Sequence, residues 1–84
     1  MCALASTLGV PVFPHVFPEV HIHLGAAFPG IAMVEMTDPT YQTETLYQLF
    51  EEWVTVDRGD MLAPQAPGLG VVLDRAAVER YAVR

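Results

Sequence analysis

Prolines punctuate the first third of this chain so closely that few backbone paths remain open to it. Pro11, Pro14, Pro18 and Pro29 all fall within residues 1–30. Each fixes φ near −65° and removes an N–H donor, so no regular helix spans residues 10–18. "VPVF" instead reads as a short buried strand over 10–14, with Pro11 near its start and Pro14 stopping it. Pro18 suits the first turn of a helix, where its missing N–H has no intrahelical partner, and Glu19 beside it favours the positive end of the helix dipole. That helix is expected over 18–28, with Val20, Leu24 and Ala27 at helical spacing, until Pro29-Gly30 closes it. "IAMVEM", residues 31–36, reads as a second short strand, and Ala3 to Leu8 as the last turns of an earlier helix stopped by Gly9. The order helix, strand, helix, strand favours parallel α/β units.

Beyond residue 37 the pattern changes. Thr43 is placed to cap a helix in which Leu46, Leu49, Phe50 and Trp53 form a core-facing stripe. "VTV" (54–56) and "VVL" (71–73) read as strands separated by a turn-rich segment, and Asp74 is placed to cap a final short helix through Tyr81. Two parallel strands and their helices do not close a doubly covered sheet. Composition carries the same message, because an 84-residue chain that is 52% apolar and 17% charged holds more apolar surface than so small a body needs to hide.

The balance of charge narrows the partners. A formal charge of −6, no Lys, and four Arg (Arg58, Arg75, Arg80, Arg84) that form no stripe disfavour nucleic acid. Cys2 is the only cysteine, so no intrachain disulfide is possible and a reducing compartment is the default. The apolar run from Cys2 to Phe13 lacks a basic n-region, and no run reaches the roughly 20 apolar residues of a membrane span. A soluble, cytoplasmic protein without a membrane partner is expected.

All three histidines lie in "VPVFPHVFPEVHIHL", residues 10–24. His21 and His23 form an H-x-H pair, but on a helix residues two apart point roughly 200° apart, so they do not chelate one zinc ion. They are expected on a solvated or interfacial face, with Glu19 and His23 a possible i, i+4 pair. His15 sits just past a strand, where side chains of parallel α/β folds line the ligand crevice, and imidazole suits proton abstraction; it also fits a histidine that merely caps a loop. Glu35 stands at the equivalent place on the next strand, either as a proton-transfer group or as the point where the strand emerges into water. Together the two put a pair of proton-transfer groups on one rim. Arg58-Gly59-Asp60 spells an adhesion tripeptide, yet Gly and Asp are what a turn between strands requires. Gly68-Leu69-Gly70 lacks the third glycine and flanking elements of a nucleotide loop and reads as a turn.

"PHVFPEVHIHLGAAFPG", then "VEM", then "PGLGVVLDRAAVERYAV" resemble, in order and spacing, the C-terminal end of mandelate racemase-like members of the enolase superfamily. The resemblance implies an α/β fold, the C-terminal fragment of a modified TIM barrel with a strand and helix extension. Residues 1–37 would form the end of the barrel, with strand 10–14 as the seventh, helix 18–28, and strand 31–36 as the eighth. Residues 38–84 would form an extension packing on the barrel and capping domain. It further implies a Mg²⁺-dependent racemase or acid-sugar dehydratase that abstracts the proton α to a carboxylate and stabilises the enolate. His15 matches the general base, and Glu35 the electrophilic acid that hydrogen-bonds the substrate carboxylate. A neutral carboxylic acid can donate there where a carboxylate cannot. The implied substrate is a small hydroxy acid or acid sugar, and the full enzyme a homo-oligomer. The family's acidic metal ligands and the aspartate partner of the histidine lie on earlier strands, so no metal ligand is expected in this chain, and the isolated chain is expected to be inactive. The other reading is a small non-catalytic protein, or a complementing subunit, that binds another polypeptide through exposed strand edges; a secreted adhesion peptide is a third.

Overall fold

A computed structural model describes residues 1–41 and 46–83. The elements run α1 (Cys2–Thr7), α2 (Pro18–Ala27), a 3₁₀ turn (Pro39–Tyr41), a second 3₁₀ turn (Leu46–Leu49), β1 (Phe50–Glu52), β2 (Thr55–Asp57), β3 (Asp60–Leu62), β4 (Val72–Leu73) and α3 (Arg75–Tyr81). The mixture of helix and strand is that of an α/β fold. The radius of gyration is 14.4 Å, against about 12 Å for a compact domain of this length, so the chain is open rather than closed around one core.

Local chemistry accounts for the helix ends. Gly9 adopts φ 65° beyond α1. Its N–H bonds the Ser6 carbonyl and the Val10 N–H bonds the Ala5 carbonyl, which is the Schellman arrangement a glycine permits. Asp74 opens α3, its carboxylate accepting from the N–H groups of Ala76 (2.8 Å) and Ala77 (3.1 Å). Replacing Asp74 by Ala strands those donors, and the expected cost is about 1 kcal/mol, read as a lower urea midpoint at unchanged m-value. At residues 38–40 the Thr40 hydroxyl and backbone N–H both donate to Asp38, and these bonds hold its carboxyl below the ordinary carboxylate range. Their stabilising effect is present at neutral pH and fades as acid protonates that group.

The residues read as strands over 10–14 and 31–36 run extended without forming strands. The backbone bond nearest to a ladder runs from the Val12 N–H to the carbonyl of Gly30, the residue just before the second segment, at 3.0 Å. Alternate N–H groups point to one side of an extended chain, and of the two that would share Val12's side Pro14 has none and that of Val10 is committed to the Ala5 carbonyl, which explains the poverty of the ladder.

The expected stripe over Leu46, Leu49, Phe50 and Trp53 is also corrected. The chain makes a 3₁₀ turn through Leu49 and then enters β1, which pairs antiparallel with β4, Phe50 opposite Leu73 and Glu52 opposite Val72. Leu46 and Leu49 stack at i, i+3 in a 3₁₀ turn as well as in an α-helix, so spacing did not separate the two, and strand pairing decided. Thr43, read as the cap, lies outside the described residues. The run at 54–56 falls on β2, whose partner is β3 rather than the 71–73 run; Thr55 faces Leu62 and Asp57 faces Asp60. Arg58 (φ 50°) and Gly59 (φ 92°) form the two-residue turn between them, the tight hairpin geometry that favours glycine. The Arg58-Gly59-Asp60 tripeptide is thus a hairpin turn, and it is exposed.

On α2 the buried side chains are Pro18, Glu19 and Ile22, whereas Val20 is exposed and Leu24 half-buried. The helix therefore buries a different face from the one Val20, Leu24 and Ala27 mark. What covers it is the C-terminal segment: Trp53 Nε1–H donates to the Glu19 carboxylate at 3.2 Å, leaving Glu19 only 4% exposed yet partnered. The expected Glu19–His23 pair is not made; His23 Nε2–H instead donates to the Leu69 carbonyl at 3.0 Å and ties α2 to the Pro67–Gly70 turn. Besides Pro18, the buried apolar residues among those described are Ile22, Ile31 and Ala77, while Phe13, Phe17 and Met33 are at least half exposed. An open groove of about 480 Å³ lies beside Ile22, Ile31 and Met61. No helix among the described residues is long and apolar enough to cross a membrane.

Candidate active site

His15 and Glu35 end the two extended segments, which the Val12–Gly30 bond holds together just before the second begins, and that shared origin brings them to one place. His15 Nε2 lies 3.5 Å from Glu35 Oε2. This is an ionic contact when the imidazole is protonated, and it is longer than an ordinary hydrogen bond. The side chains are 83% and 50% exposed, and at such exposure an ion pair contributes about 0–1 kcal/mol. Stability does not account for the pairing, and both groups are open to a ligand.

The chain between His15 and α2 is strained. Val16 (φ 51°) and Phe17 (φ 49°) are consecutive non-glycine residues in the left-handed region, at a cost of roughly 1–2 kcal/mol each, and the β-branched Val16 is the less tolerant. Such a conformation persists only where its surroundings over-determine it. Here the tethers are explicit. The Val16 N–H donates to Glu35 Oε2 at 2.8 Å. The Val16 carbonyl accepts from His21 Nδ1 at 2.6 Å, which assigns the proton to that nitrogen. The Phe17 carbonyl accepts from the N–H groups of Val20 and His21, both at 3.0 Å, and Pro18 opens the helix.

Both backbone groups of Val16 are therefore held, its N–H by the Glu35 carboxylate and its carbonyl, in the next peptide unit, by the His21 imidazole. His21, expected on a solvated or interfacial face, is half-buried and reaches the backbone next to His15. A signal for it exists in the sequence. With Pro18 as the first helical residue, Val16 is at N′ and His21 at N4, the two positions bridged by the hydrophobic staple that fixes how a chain enters a helix. Here the bridge is a hydrogen bond instead of an apolar contact.

Chemically, a base and a carboxyl group side by side on one rim can divide proton abstraction and substrate-carboxylate recognition between them. Among the described residues the donor set does not make a magnesium site. Among the described residues no three His, Cys, Asp or Glu side chains converge. Five carboxyl groups are already engaged: Glu19 by Trp53, Glu35 by Val16, Asp38 by Thr40, Asp57 by Arg58, and Asp74 by the α3 N-terminus.

No solved structure matches the chain. A family model does, over residues 1–77, and its description is enolase C-terminal domain-like. That span includes both His15 and Glu35, the extended segments that carry them, and most of the C-terminal extension through β4. The chain belongs to the enolase C-terminal domain-like family, as a C-terminal part of a member of the superfamily of Mg²⁺-dependent, enolate-forming enzymes.

Proposed function

We propose that this chain supplies the base and the carboxylate-recognising group of a mandelate racemase-like racemase or acid-sugar dehydratase acting on a small hydroxy acid or acid sugar. The observation that carries the reading is the juxtaposition of His15 and Glu35, 3.5 Å apart at the ends of two consecutive extended segments. In this reading the His15 imidazole takes the proton from the carbon next to the substrate carboxylate. The C–H electron pair passes into the enolate, and Glu35 hydrogen-bonds the substrate carboxylate, where negative charge grows. Magnesium enters no step that these residues perform.

The test is hydrogen exchange at the α-carbon, followed by NMR in D₂O with racemic 2-hydroxy acids and aldonic acids in the presence of Mg²⁺. The longest in-frame polypeptide ending in this chain is expected to exchange the α-proton or to release a 2-keto-3-deoxy acid. The purified 84-residue chain is expected to do neither, because a base alone supplies only about 10²- to 10⁴-fold of the acceleration such a weak carbon acid requires. Absence of exchange in every in-frame form would overturn the reading.

A second reading, a non-catalytic protein or complementing subunit that binds another polypeptide through its strand edges, is favoured by the exposure of Val10, Phe13 and Met33 on the extended segments. A stop codon and promoter immediately upstream of Met1, with no in-frame continuation, would select it over the first.

A further inference from the structure

We infer that His21 is a positioning residue, whose Nδ1–H bond to the Val16 carbonyl clamps the left-handed Val16–Phe17 turn and so holds His15 against Glu35. The inference rests on the reading of His15 and Glu35 as the reacting pair, and it names a residue that neither touches substrate nor ligates metal. Three observations carry it. Val16 and Phe17 both have positive φ, at 51° and 49°, a conformation that relaxes unless held. The His21–Val16 contact, at 2.6 Å, is the tether from α2 to the residue whose own N–H donates to Glu35 at 2.8 Å. His21 is half-buried on the helix that Pro18 starts, so its ring is part of a packed element while His15 is on the open rim.

The geometry runs in one direction. Helix α2 is anchored by the buried Ile22 and by Glu19 under Trp53. His21 carries that anchorage to Val16, and Val16 carries it to Glu35 and, through the chain, to His15. If the clamp is released, Val16 relaxes to negative φ, its N–H leaves Glu35 and the imidazole of His15 swings away. A protonated His21 still donates from Nδ1, so the clamp works in either charge state.

The experiment compares the wild-type 84-residue chain with His21→Leu, His21→Asn and the double variant His21→Leu/Val16→Gly by NMR. Asn places an amide donor near the Nδ1 position. Gly at 16 adopts positive φ without strain. The wild type is expected to give the strong intraresidue HN–Hα NOE of a positive φ at Val16 and a protected Val16 amide. In His21→Leu that NOE is lost and amide exchange accelerates at least about 10-fold. His21→Asn keeps both signatures, and the double variant regains the protection of the amide at 16. Should His21→Leu fail to fold, recovery of folding and protection in the double variant supports the clamp, and failure to recover overturns it. An unchanged Val16 NOE and exchange rate in His21→Leu also overturns it.

In an active in-frame enzyme the same substitution is expected to lower kcat by about 10²-fold at nearly unchanged KM, the signature of misplaced rather than missing groups, with rescue by His21→Asn. The NMR readouts need no turnover, so the two ideas fail separately. If the clamp signatures appear but no enzyme form exchanges protons, the functional reading falls and the clamp stands. Turnover that is insensitive to His21→Leu has the opposite meaning.

Discussion

Replacing His15 by Asn in an active, in-frame enzyme is expected to lower the rate of α-proton exchange by about 10²- to 10⁴-fold, the usual contribution of a positioned general base. Asn keeps a hydrogen-bonding side chain of similar reach but offers no basic nitrogen, so substrate binding should change little and the loss should fall on kcat. Glu35→Gln is expected to behave differently. Glutamine retains an acceptor for the Val16 N–H, so the backbone next to His15 stays in place, and it can still donate to a substrate carboxylate. What it loses is the ionisable carboxyl group that faces His15 at 3.5 Å. Because a donor to the substrate carboxylate remains, a decrease smaller than that of His15→Asn is expected, below about 10²-fold. The measurement for both is deuterium incorporation at the α-carbon with substrate varied, so that kcat and KM separate. Two variants that exchange as fast as wild type would show that the pair on this rim is not the reacting pair. Because His15 is largely exposed and its contact contributes little to stability, neither variant should move the urea midpoint by more than about 0.5 kcal/mol equivalent, which keeps loss of activity distinct from loss of fold.

The largest expected effect on stability belongs to Ile22→Ala. Ile22 is 6% exposed and lines the groove together with Ile31. Truncating a buried Ile costs about 2–5 kcal/mol, and a chain of this size has little more than that to lose. Urea denaturation followed by circular dichroism should therefore show no folded baseline for the variant. Val20→Ala is the control. Val20 lies two residues away on the same helix and is 40% exposed, so its truncation should cost well under 1 kcal/mol. A larger effect at Val20 than at Ile22 would mean that α2 buries the Val20, Leu24 and Ala27 face after all.

Those two positions also illustrate where reading by pattern stops. Val20, Leu24 and Ala27 have valid helical spacing, and so do Pro18, Glu19 and Ile22. Which face is buried depends on what packs against it, and the packing partner is Trp53, 34 residues from Glu19. Hydropathy assigned the carboxylate to water; the indole N–H, supplied from a distant segment, made its burial tolerable. The histidines divide in the same way. That His21 and His23 point in different directions follows from helix geometry alone, and their contacts, Val16 in one case and Leu69 in the other, bear it out. That one of them steadies the peptide beside His15 does not follow, because it requires Val16 to be in the left-handed region, which no propensity predicts for a β-branched residue.

What the residues by themselves determined about this protein is local and chemical. Pro18 and Asp74 set the starts of α2 and α3, Gly9 ended α1, Arg58-Gly59 turned a hairpin, and His15 and Glu35 stood out as a base and a carboxyl group at the ends of two proline-bounded apolar runs. Each rests on φ limits, missing donors or side-chain caps that act within a few residues. The tertiary structure decided everything that depends on distant partners. It turned the stripe at 46–53 into a 3₁₀ turn and a strand, because β4 was available to pair. It left 10–14 and 31–36 without a ladder, because Pro14 lacks a donor and the Val10 N–H is committed to Ala5. It also brought His15 within 3.5 Å of Glu35, with Val16 held between a carboxylate and His21. Spacing along a chain encodes which groups can share a face; only the closing of the chain on itself decides which of them meet.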